Sequence, residues 1–254
     1  MSVNNTRKVV AVVQARMGSS RLPDKVMKTI CNKPVLELML ERLSKSKLID
    51  EIVVATTTLK NDDVIYDWAK NAGYSVFRGS ELDCLDRHYQ VGKKFHANYA
   101  VKITPDCPFI DPSVVDNVIK FFLDNSNKYD YVSNAHPPSY PDGLDLEIIH
   151  LSILEDAWKK SIDPIEREHT TTYIWKKPDI FKIGNIMMPG TNNLFMKERW
   201  TLDYPEDFQF VKTVYENLYQ NGKIFLMSDI LKFLDKNPEI RKINNHLCVH
   251  NSVH

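Results

Sequence analysis

Residues 8–25 read KVVAVVQARMGSSRLPDK, a continuous β-branched run followed by a loop of small and basic residues. A run of this kind is typical of a strand that is buried on both faces of a parallel sheet. Strand-like and helix-like segments then alternate along the chain. The predicted strands span 51–57, 74–77, 99–104 and 129–133, and the predicted helices span 34–47, 61–72, 83–95 and 112–123. This order predicts an α/β fold with a mostly parallel sheet and helices on both faces.

The pattern changes after residue 134, where the Pro-rich stretch HPPSYPDG (136–143) begins. We predict an inserted subregion over about 135–195, followed by closing helices. Within and after it, the predicted elements are strands over 144–149 and 180–187 and helices over 151–160, 164–175, 204–219 and 228–236. Because no repeat or linker divides the sequence, we predict a single domain over residues 1–254.

The composition excludes several classes of protein. The chain has 254 residues, 43% of them hydrophobic and 26% charged, which rules out a disordered chain or a coiled coil. Lys plus Arg equals Asp plus Glu at 33 each, whereas nucleic-acid and membrane-surface binders usually carry a basic excess. No segment approaches the ~20 apolar residues of a membrane span. The four cysteines are scattered, as in reduced proteins, so we expect a cytoplasmic protein with neither nucleic-acid nor membrane partners.

The loop after the first strand combines small residues with three cations. Gly18 and Ser19 let the backbone approach a ligand, while Arg16, Arg21 and Lys25 supply positive charge. Ligands of open α/β sheets bind at the carboxyl ends of strands, and backbone N–H groups there can hold an anion. Neither a Walker A motif nor GxGxxG is present. A solvated basic turn is the alternative, but the position favours a phosphate-binding loop.

Two aspartates follow other predicted strands. Asp106 lies between two prolines in TPDCPFIDP (104–112), and Asp203 precedes a helix in RWTLDYPEDF (199–208). Mg²⁺ is commonly held by one or two carboxylates together with substrate phosphates, so both are candidate ligands. Asp106 is equally compatible with a plain turn residue.

Three neighbouring acids are predicted to have structural roles. Asp111 should cap the helix that begins at Pro112. Glu206 and Asp207 lie in the first turn of the next predicted helix, where carboxylates interact favourably with the helix dipole.

The order of these motifs resembles that of a known enzyme family. ARMGSSRLPDK (15–25), followed by NKPVLE (32–37), is similar to the opening signature of the CMP-sugar synthetases, such as the CMP-KDO and CMP-sialic acid synthetases. PDCPFID (105–111) and TLDYPEDF (201–208) resemble the aspartate segments that bind metal in that family.

Three further segments resemble one branch of that family, the spore-coat polysaccharide (SpsF-like) cytidylyltransferases. They are RGSELDCLDRHY (78–89), PDGLDLE (141–147) and EREHTTTYI (166–174). The resemblance spans roughly residues 8–215. It implies a Rossmann-like nucleotidyltransferase of the GT-A type, in which a sugar hydroxyl attacks the α-phosphate of CTP and pyrophosphate leaves.

The resemblance also assigns residues to roles. Arg16 and Lys25 match the positions that hold the triphosphate, and Asp106 and Asp203 match the aspartates that carry Mg²⁺. Arg16, Lys25 and Asp106 are therefore the implied catalytic residues. The implied nucleotide-binding positions of the first loop are Ala15, Arg16, Gly18, Ser19, Arg21 and Lys25.

The sequence departs from the family at two places. The common opening PAR is QAR here, with Gln14, and RGSELDCLDRHY replaces the serine-rich segment that recognises the base. We therefore expect Arg78, Gly79, Ser80 and Asp83 to contact the cytosine and ribose.

The sugar site is predicted from the inserted subregion. Asp145 and Glu147 share one face of the predicted strand, and Arg167 and His169 begin the next predicted helix. These four residues either form an exposed acidic strand and a capped helix or line a sugar pocket, which the resemblance favours. The family also uses this region for dimer contacts, so we expect a homodimer.

We therefore expect a Mg²⁺-dependent enzyme that transfers CMP to a 2-keto-3-deoxy (nonulosonic) acid for a surface polysaccharide or glycan. One alternative is a sugar or polyol phosphate acceptor, which would give a CDP-linked product. Others are a nucleotide-binding subunit without catalysis and a glycosyltransferase of the same fold, which would normally carry a DxD motif at a strand end.

Overall fold

The computed structural model describes residues 7–190 and 193–248. Within these ranges the main sheet has seven strands, and a two-residue hairpin follows the first of them. The sheet strands are β1 (Val9–Gln14), β4 (Glu51–Thr57), β5 (Ser75–Gly79), β6 (Tyr99–Ile103), β7 (Tyr131–Ser133), β8 (Glu147–His150) and β9 (Ile183–Asn185). The hairpin pairs β2 (Thr29–Ile30) with β3 (Lys33–Pro34).

The sheet order is β5-β4-β1-β6-β8-β7-β9. Strands β5, β4, β1 and β6 are parallel, whereas β8 runs antiparallel between β6 and β7. Strand β9 adds in parallel to β7 at the edge. The predicted Rossmann-like, mostly parallel sheet is confirmed, with one reversed strand, β8, in the fifth of its seven positions.

Helices cover both faces of the sheet. In the described residues they are α1 (Val35–Leu43), α2 (Asp63–Asn71), α3 (Cys84–Lys94), α4 (Pro112–Asp124), α5 (Leu151–Lys160), α6 (Pro164–Glu168), α7 (Thr172–Trp175), α8 (Pro205–Leu218), α9 (Met227–Lys236) and α10 (Pro238–Arg241). Alternate residues of β1 define the two faces. Val9, Ala11 and Val13 pack with α1, α2, α4, α8 and α9, whereas Val10 and Val12 pack with α3.

Buried polar groups fix the loop that follows β6. Arg42 of α1 is 1% exposed and donates to the carbonyls of Phe109 (3.2 Å), Ile110 (2.9 Å) and Phe225 (2.8 Å). The hydroxyl of Tyr215 donates to the carbonyl of Pro108 at 2.6 Å. These bonds hold the segment that carries Asp106 at the carboxyl end of the sheet.

Three predicted elements in the predicted subregion 135–195 are wrong in extent, and one of them is the strand over 180–187, which is only the three-residue β9. The predicted helix over 164–175 is two short helices, α6 and α7, separated at Thr170, which is buried with a φ of 49°. The predicted strand over 144–149 begins only at Glu147. Its first residues are unpaired because the carboxamide of Asn134 bonds the carbonyl of Leu144 and the N–H of Leu146, both at 2.9 Å. Asp145 therefore lies in the irregular segment before the strand.

Of the helices in the described ranges, none is both long enough and apolar enough to cross a bilayer.

Candidate active site

Three separate loops meet at the ammonium group of Lys25. Its Nζ donates to the carbonyl of Leu202 at 2.8 Å and to Oδ1 of Asp203 at 2.9 Å, and it lies 3.5 Å from Oδ2 of Asp106. The Lys25 side chain is only 11% exposed. The structure thus brings the first loop and both predicted aspartates together at the carboxyl ends of β1 and β6.

A buried carboxylate that the sequence analysis did not single out shapes the first loop. Asp62 is 2% exposed and accepts from the N–H of Met17 at 2.7 Å and from the hydroxyl of Thr57. Asp24 adopts a left-handed conformation, with φ 58°, before the 3₁₀ turn Lys25–Met27. The loop is thereby tied to the end of β4 and turned so that Lys25 points inward.

The other predicted residues of the first loop each have their own partners. Ala15 is buried and donates its N–H to Ala55, and the Ser19 hydroxyl accepts from the N–H of Leu22 at 3.3 Å. Arg21 is about half exposed, and its Nη2 lies 2.9 Å from Oδ1 of Asp203.

Arg16 and Gly18 lie on the side of the loop near Glu81. Arg16 is also about half exposed, and its Nη1 lies 3.5 Å from Oε1 of Glu81. A Cβ on Gly18 would lie 3.7 Å from that same oxygen. Arg21 and Lys25 therefore place positive charge beside Asp203, whereas Arg16 lies near Glu81, and guanidinium and ammonium groups of this kind suit a polyanion.

Asp203 is held by a carboxylate that lies four residues further on. Asp207 is fully buried and accepts from Nε and Nη2 of Arg199, each at 2.9 Å. It also accepts the N–H groups of Asp203 and Tyr204, each at 3.0 Å. The sequence predicted only an interaction with the helix dipole for Asp207. In the structure it forms the turn that presents Asp203.

Cations and carboxylates hold each other charged in this cluster. Burial by itself would lower the pKa of Lys25, but the carboxylates of Asp106 and Asp203 outweigh it and raise the pKa. Burial would raise the pKa of Asp203, but Lys25 and Arg21 lower it below its ordinary value. Lys25 and Asp203 therefore form an ion pair at neutral pH.

The segment PDG (141–143) places another carboxylate, that of Asp142, close to the turn that carries Asp203. Gly143 has a φ of 104°, and a Cβ there would lie 2.7 Å from the backbone N of Thr201, so the two segments touch. Asp142 lies 3.3 Å from Nη1 of Arg199. Burial raises the pKa of Asp142 to about 6, although Arg199 opposes the shift.

Asp145 lies in the same acidic region. Burial, together with the charges of Asp142 and Asp106, raises the pKa of Asp145 to about 8. It therefore binds a proton at neutral pH far more readily than an ordinary aspartate.

Glu147 lies in a different environment, although it follows Asp145 by two residues. It is 7% exposed and accepts from Nζ of Lys102 and from the Tyr131 hydroxyl, each at 2.6 Å. Burial would raise the pKa of Glu147, but Lys102 and His136 lower it to about 2. The sequence analysis missed Lys102, because its spacing on β6 does not reveal that β8 places Glu147 directly opposite it.

The residues predicted to contact the base lie at the end of β5 and the start of α3. Arg78 donates to the carbonyls of Thr57 (2.7 Å) and Leu59 (2.9 Å) and pairs with Asp63 at 2.6 Å. Gly79 has no room for a side chain, since a Cβ would lie 2.7 Å from Cγ of Arg87.

Arg87 and Asp83 complete this turn. Arg87 is 2% exposed and donates to the carbonyls of Ser80 and Glu81. Asp83 caps α3 by accepting from the N–H of Asp86 at 2.8 Å, and it also accepts from Nε of Arg167 at 2.9 Å. A predicted nucleotide contact and a predicted sugar contact are therefore ion-paired, and His169 follows directly after α6.

Two carboxylates are available for a metal ion. In residues 7–190 and 193–248, no three His, Cys, Asp or Glu side chains converge as a complete metal site. Asp106 and Asp203 both lie beside Lys25 and offer hard oxygen ligands. This donor set fits Mg²⁺, which takes few protein carboxylates and completes its shell with phosphates and water, better than it fits Zn²⁺.

The chain matches the family model described as cytidylyltransferase over residues 10–230, and it belongs to that family. It is 36% identical to an uncharacterised protein of Methanocaldococcus jannaschii, with 94% of this chain and 96% of that protein aligned. It is 28% identical to the spore coat polysaccharide biosynthesis protein SpsF of Bacillus subtilis, over 91% of this chain and 95% of SpsF.

A solved cytidylyltransferase from Leptospira borgpetersenii is 34% identical, with a TM-score of 0.86 over 92% of this chain and 96% of that one. The predicted resemblance to the cytidylyltransferases is therefore confirmed, and the protein is a nucleotidyltransferase.

Proposed function

We propose that the enzyme transfers CMP from CTP to a hydroxyl of a sugar acid. The acceptor oxygen attacks the α-phosphorus of CTP, the bond from that phosphorus to the bridging oxygen breaks, and pyrophosphate leaves. The observation that carries this proposal is the meeting of Lys25, Asp106 and Asp203 at one point beside the half-exposed Arg21. Transfer of this kind depends mainly on positioning and charge neutralisation, so no protein nucleophile is required.

The cluster has to rearrange when a nucleotide binds. Lys25 and Arg21 are paired with Asp203 in this structure, and the phosphates of CTP compete for the same donors. We infer that Lys25, Arg21 and Arg16 turn to the triphosphate while Asp106 and Asp203 hold Mg²⁺. The bound metal would neutralise phosphate charge and stabilise the leaving pyrophosphate.

The charges near the predicted sugar site favour a sugar acid over a sugar phosphate. The three cations placed there are each paired with a carboxylate: Lys102 with Glu147, Arg167 with Asp83, and Arg199 with Asp207. Glu147 and Asp207 are buried and hold Lys102 and Arg199 in place, so these cations are less free to turn to a dianionic phosphate than the half-exposed Arg16 and Arg21 of the first loop. A sugar with many hydroxyls and one carboxylate, such as a 2-keto-3-deoxy acid, fits better. The name of the SpsF relative supports a role in polysaccharide synthesis.

Thermal unfolding with CTP, UTP, ATP and GTP, each with and without Mg²⁺, tests the nucleotide assignment. A ligand at a hundred times its Kd stabilises by about 2.7 kcal/mol, a rise in Tm of roughly 5–10 °C for this length. We expect that rise for CTP with Mg²⁺, and we expect Lys25→Met to abolish it. Lys45→Met, an exposed lysine just after α1, is the matched control and should respond as the wild type does. A shift with another nucleotide would overturn the base assignment.

Pyrophosphate release then tests the acceptor. We expect release with 2-keto-3-deoxy sugar acids and none with sugar or polyol phosphates, and the opposite pattern would establish the CDP-linked alternative. Asp106→Ala and Asp203→Ala should each abolish release. Unchanged turnover in both variants would contradict the mechanism, whereas a wild type that binds CTP but accepts no sugar would favour a non-catalytic subunit.

We also propose that the enzyme is a homodimer that uses the 135–195 subregion as its interface. Three isoleucines there are strongly exposed: Ile162 at 93%, Ile180 at 67% and Ile165 at 57%. Lys177 pairs with Glu166 at 3.1 Å, so the segments that carry Ile165 and Ile180 lie side by side, and exposed apolar side chains on adjoining segments are typical of an interaction site.

A further inference from the structure

The last segment that the structure describes, which follows α9, reaches the back of the active site. α10 and the residues after it lie beyond the region 10–230 that matches the family model. Asn244, in this last segment, is 1% exposed. Its Nδ2 donates to Oδ1 of Asp207 and to the carbonyl of Arg199, each at 2.9 Å. One amide nitrogen thus bonds both ends of the turn over 199–207.

Five hydrogen bonds stabilise the buried carboxylate of Asp207. Arg199 supplies two bonds, the N–H groups of Asp203 and Tyr204 supply two, and Asn244 supplies one. A fully buried carboxylate is stable only when its oxygens are well bonded, because it has lost its hydration. Without Asn244, Oδ1 of Asp207 would keep only its bond from Arg199, and the Arg199 carbonyl would lose this donor.

A change in the bonding of Asp207 or Arg199 would alter the position of Asp203, because both residues contact it. The Arg199 guanidinium lies 3.3 Å from Asp142 and 4.0 Å from Oδ2 of Asp203, so its orientation affects both acids. The backbone of Asp203 is itself fixed by Asp207. A second bond anchors the same segment, since Nε of Arg241 lies 2.7 Å from Oε1 of Glu198.

We propose that Asn244 is a positioning residue for the transfer reaction. Through Asp207 it fixes the Asp203 backbone and the Arg199 guanidinium, so that the Asp203 carboxylate stays at the point where Lys25 and the metal–nucleotide complex meet. This inference rests on the proposed role of Asp203. It assigns a function in the active site to the segment that follows α9.

The test compares Asn244→Ala and Asn244→Asp with the matched control Asn237→Ala, in the full-length enzyme. Asn237 also uses its Nδ2 to bond a carbonyl, that of Phe233 at 2.8 Å, but it does not contact the 199–207 turn. The first readout is hydrogen exchange at the amides of Asp203 and Tyr204, which needs no ligand. The second is the Kd for CTP, measured calorimetrically with Mg²⁺ and again with EDTA.

We expect Asn244→Ala to speed exchange at these two amides about tenfold and to weaken CTP binding in Mg²⁺ by a similar factor, as loss of a hydrogen bond to a charged group would. Binding in EDTA should change little, and Asn237→Ala should alter neither readout. Asn244→Asp should speed amide exchange and weaken CTP binding more than Asn244→Ala does, since the new carboxylate faces that of Asp207 and offers no donor. A role in packing alone predicts the reverse order, because aspartate has the shape of asparagine.

Exchange at Asp203 and Tyr204 that matches the control in both Asn244 variants would overturn the proposal. Wild-type enzyme that does not bind CTP would contradict the proposed function instead, and the exchange measurement would still decide the role of Asn244.

Discussion

Asp145 shows how one carboxyl group can make stability depend on pH. Its pKa is about 8 in the folded chain, against roughly 3.9 in an unfolded one. The folded state therefore binds the proton more tightly, and stability falls as pH rises from about 4 to about 8. Asp145→Asn removes this titration, so the Tm of the variant minus that of the wild type should grow from pH 5 to pH 8 in EDTA.

The exposed Asp67→Asn is the control for this experiment, and its Tm difference should be the same at every pH. A constant difference for Asp145→Asn as well would show that the surroundings of Asp145 do not hold its proton.

Asp145 and Glu147 are two residues apart, yet their pKa values are pushed in opposite directions. Lys102 keeps Glu147 ionised, whereas burial, together with the charges of Asp142 and Asp106, opposes ionisation of Asp145. One short segment therefore presents a carboxylate and, near neutral pH, a largely protonated acid.

The turn between β5 and α3 is built around a buried cation. Arg87→Met would leave the carbonyls of Ser80 and Glu81 without their donor, at a cost of roughly 2–4 kcal/mol. We expect Tm to fall by about 5–10 °C and CTP binding to weaken, since this turn carries the predicted base contacts. Lys93→Met, an exposed position on the same helix, should change neither quantity. Normal CTP affinity in Arg87→Met would show that the base binds elsewhere.

The complete enzyme is expected to have twice the 29.5 kDa mass of one chain in solution. Replacing Ile162 and Ile165 together by glutamate places charge in the proposed interface and should yield monomers in light-scattering measurements. Val64→Glu, an exposed apolar position on α2 outside the 135–195 subregion, is the control and should remain dimeric. A wild-type mass of one chain would contradict the proposed dimer.

Local patterns in the sequence determined much of the fold because they depend on residues close together in the chain. Strand 51–57 and helix 151–160 have the predicted bounds, and the predicted cap at Asp111 is confirmed by its bond to the N–H of Ser113. The resemblance of the aspartate segments to a known family also identified Asp106 and Asp203 as candidate metal ligands. Alternating hydrophobicity and capping act over a few residues, so they can be read directly.

The tertiary structure alone decided which polar residues support the site. Asp62 bonds Met17, Lys102 bonds Glu147 and Asn244 bonds Asp207, at separations of 45, 45 and 37 residues. The same holds for the raised pKa of Asp145 and for the division of the predicted helix 164–175 at Thr170. Each depends on how deeply a group is buried and on partners that folding brings together from distant segments. No local sequence pattern encodes the burial of a side chain or the identity of its distant partners.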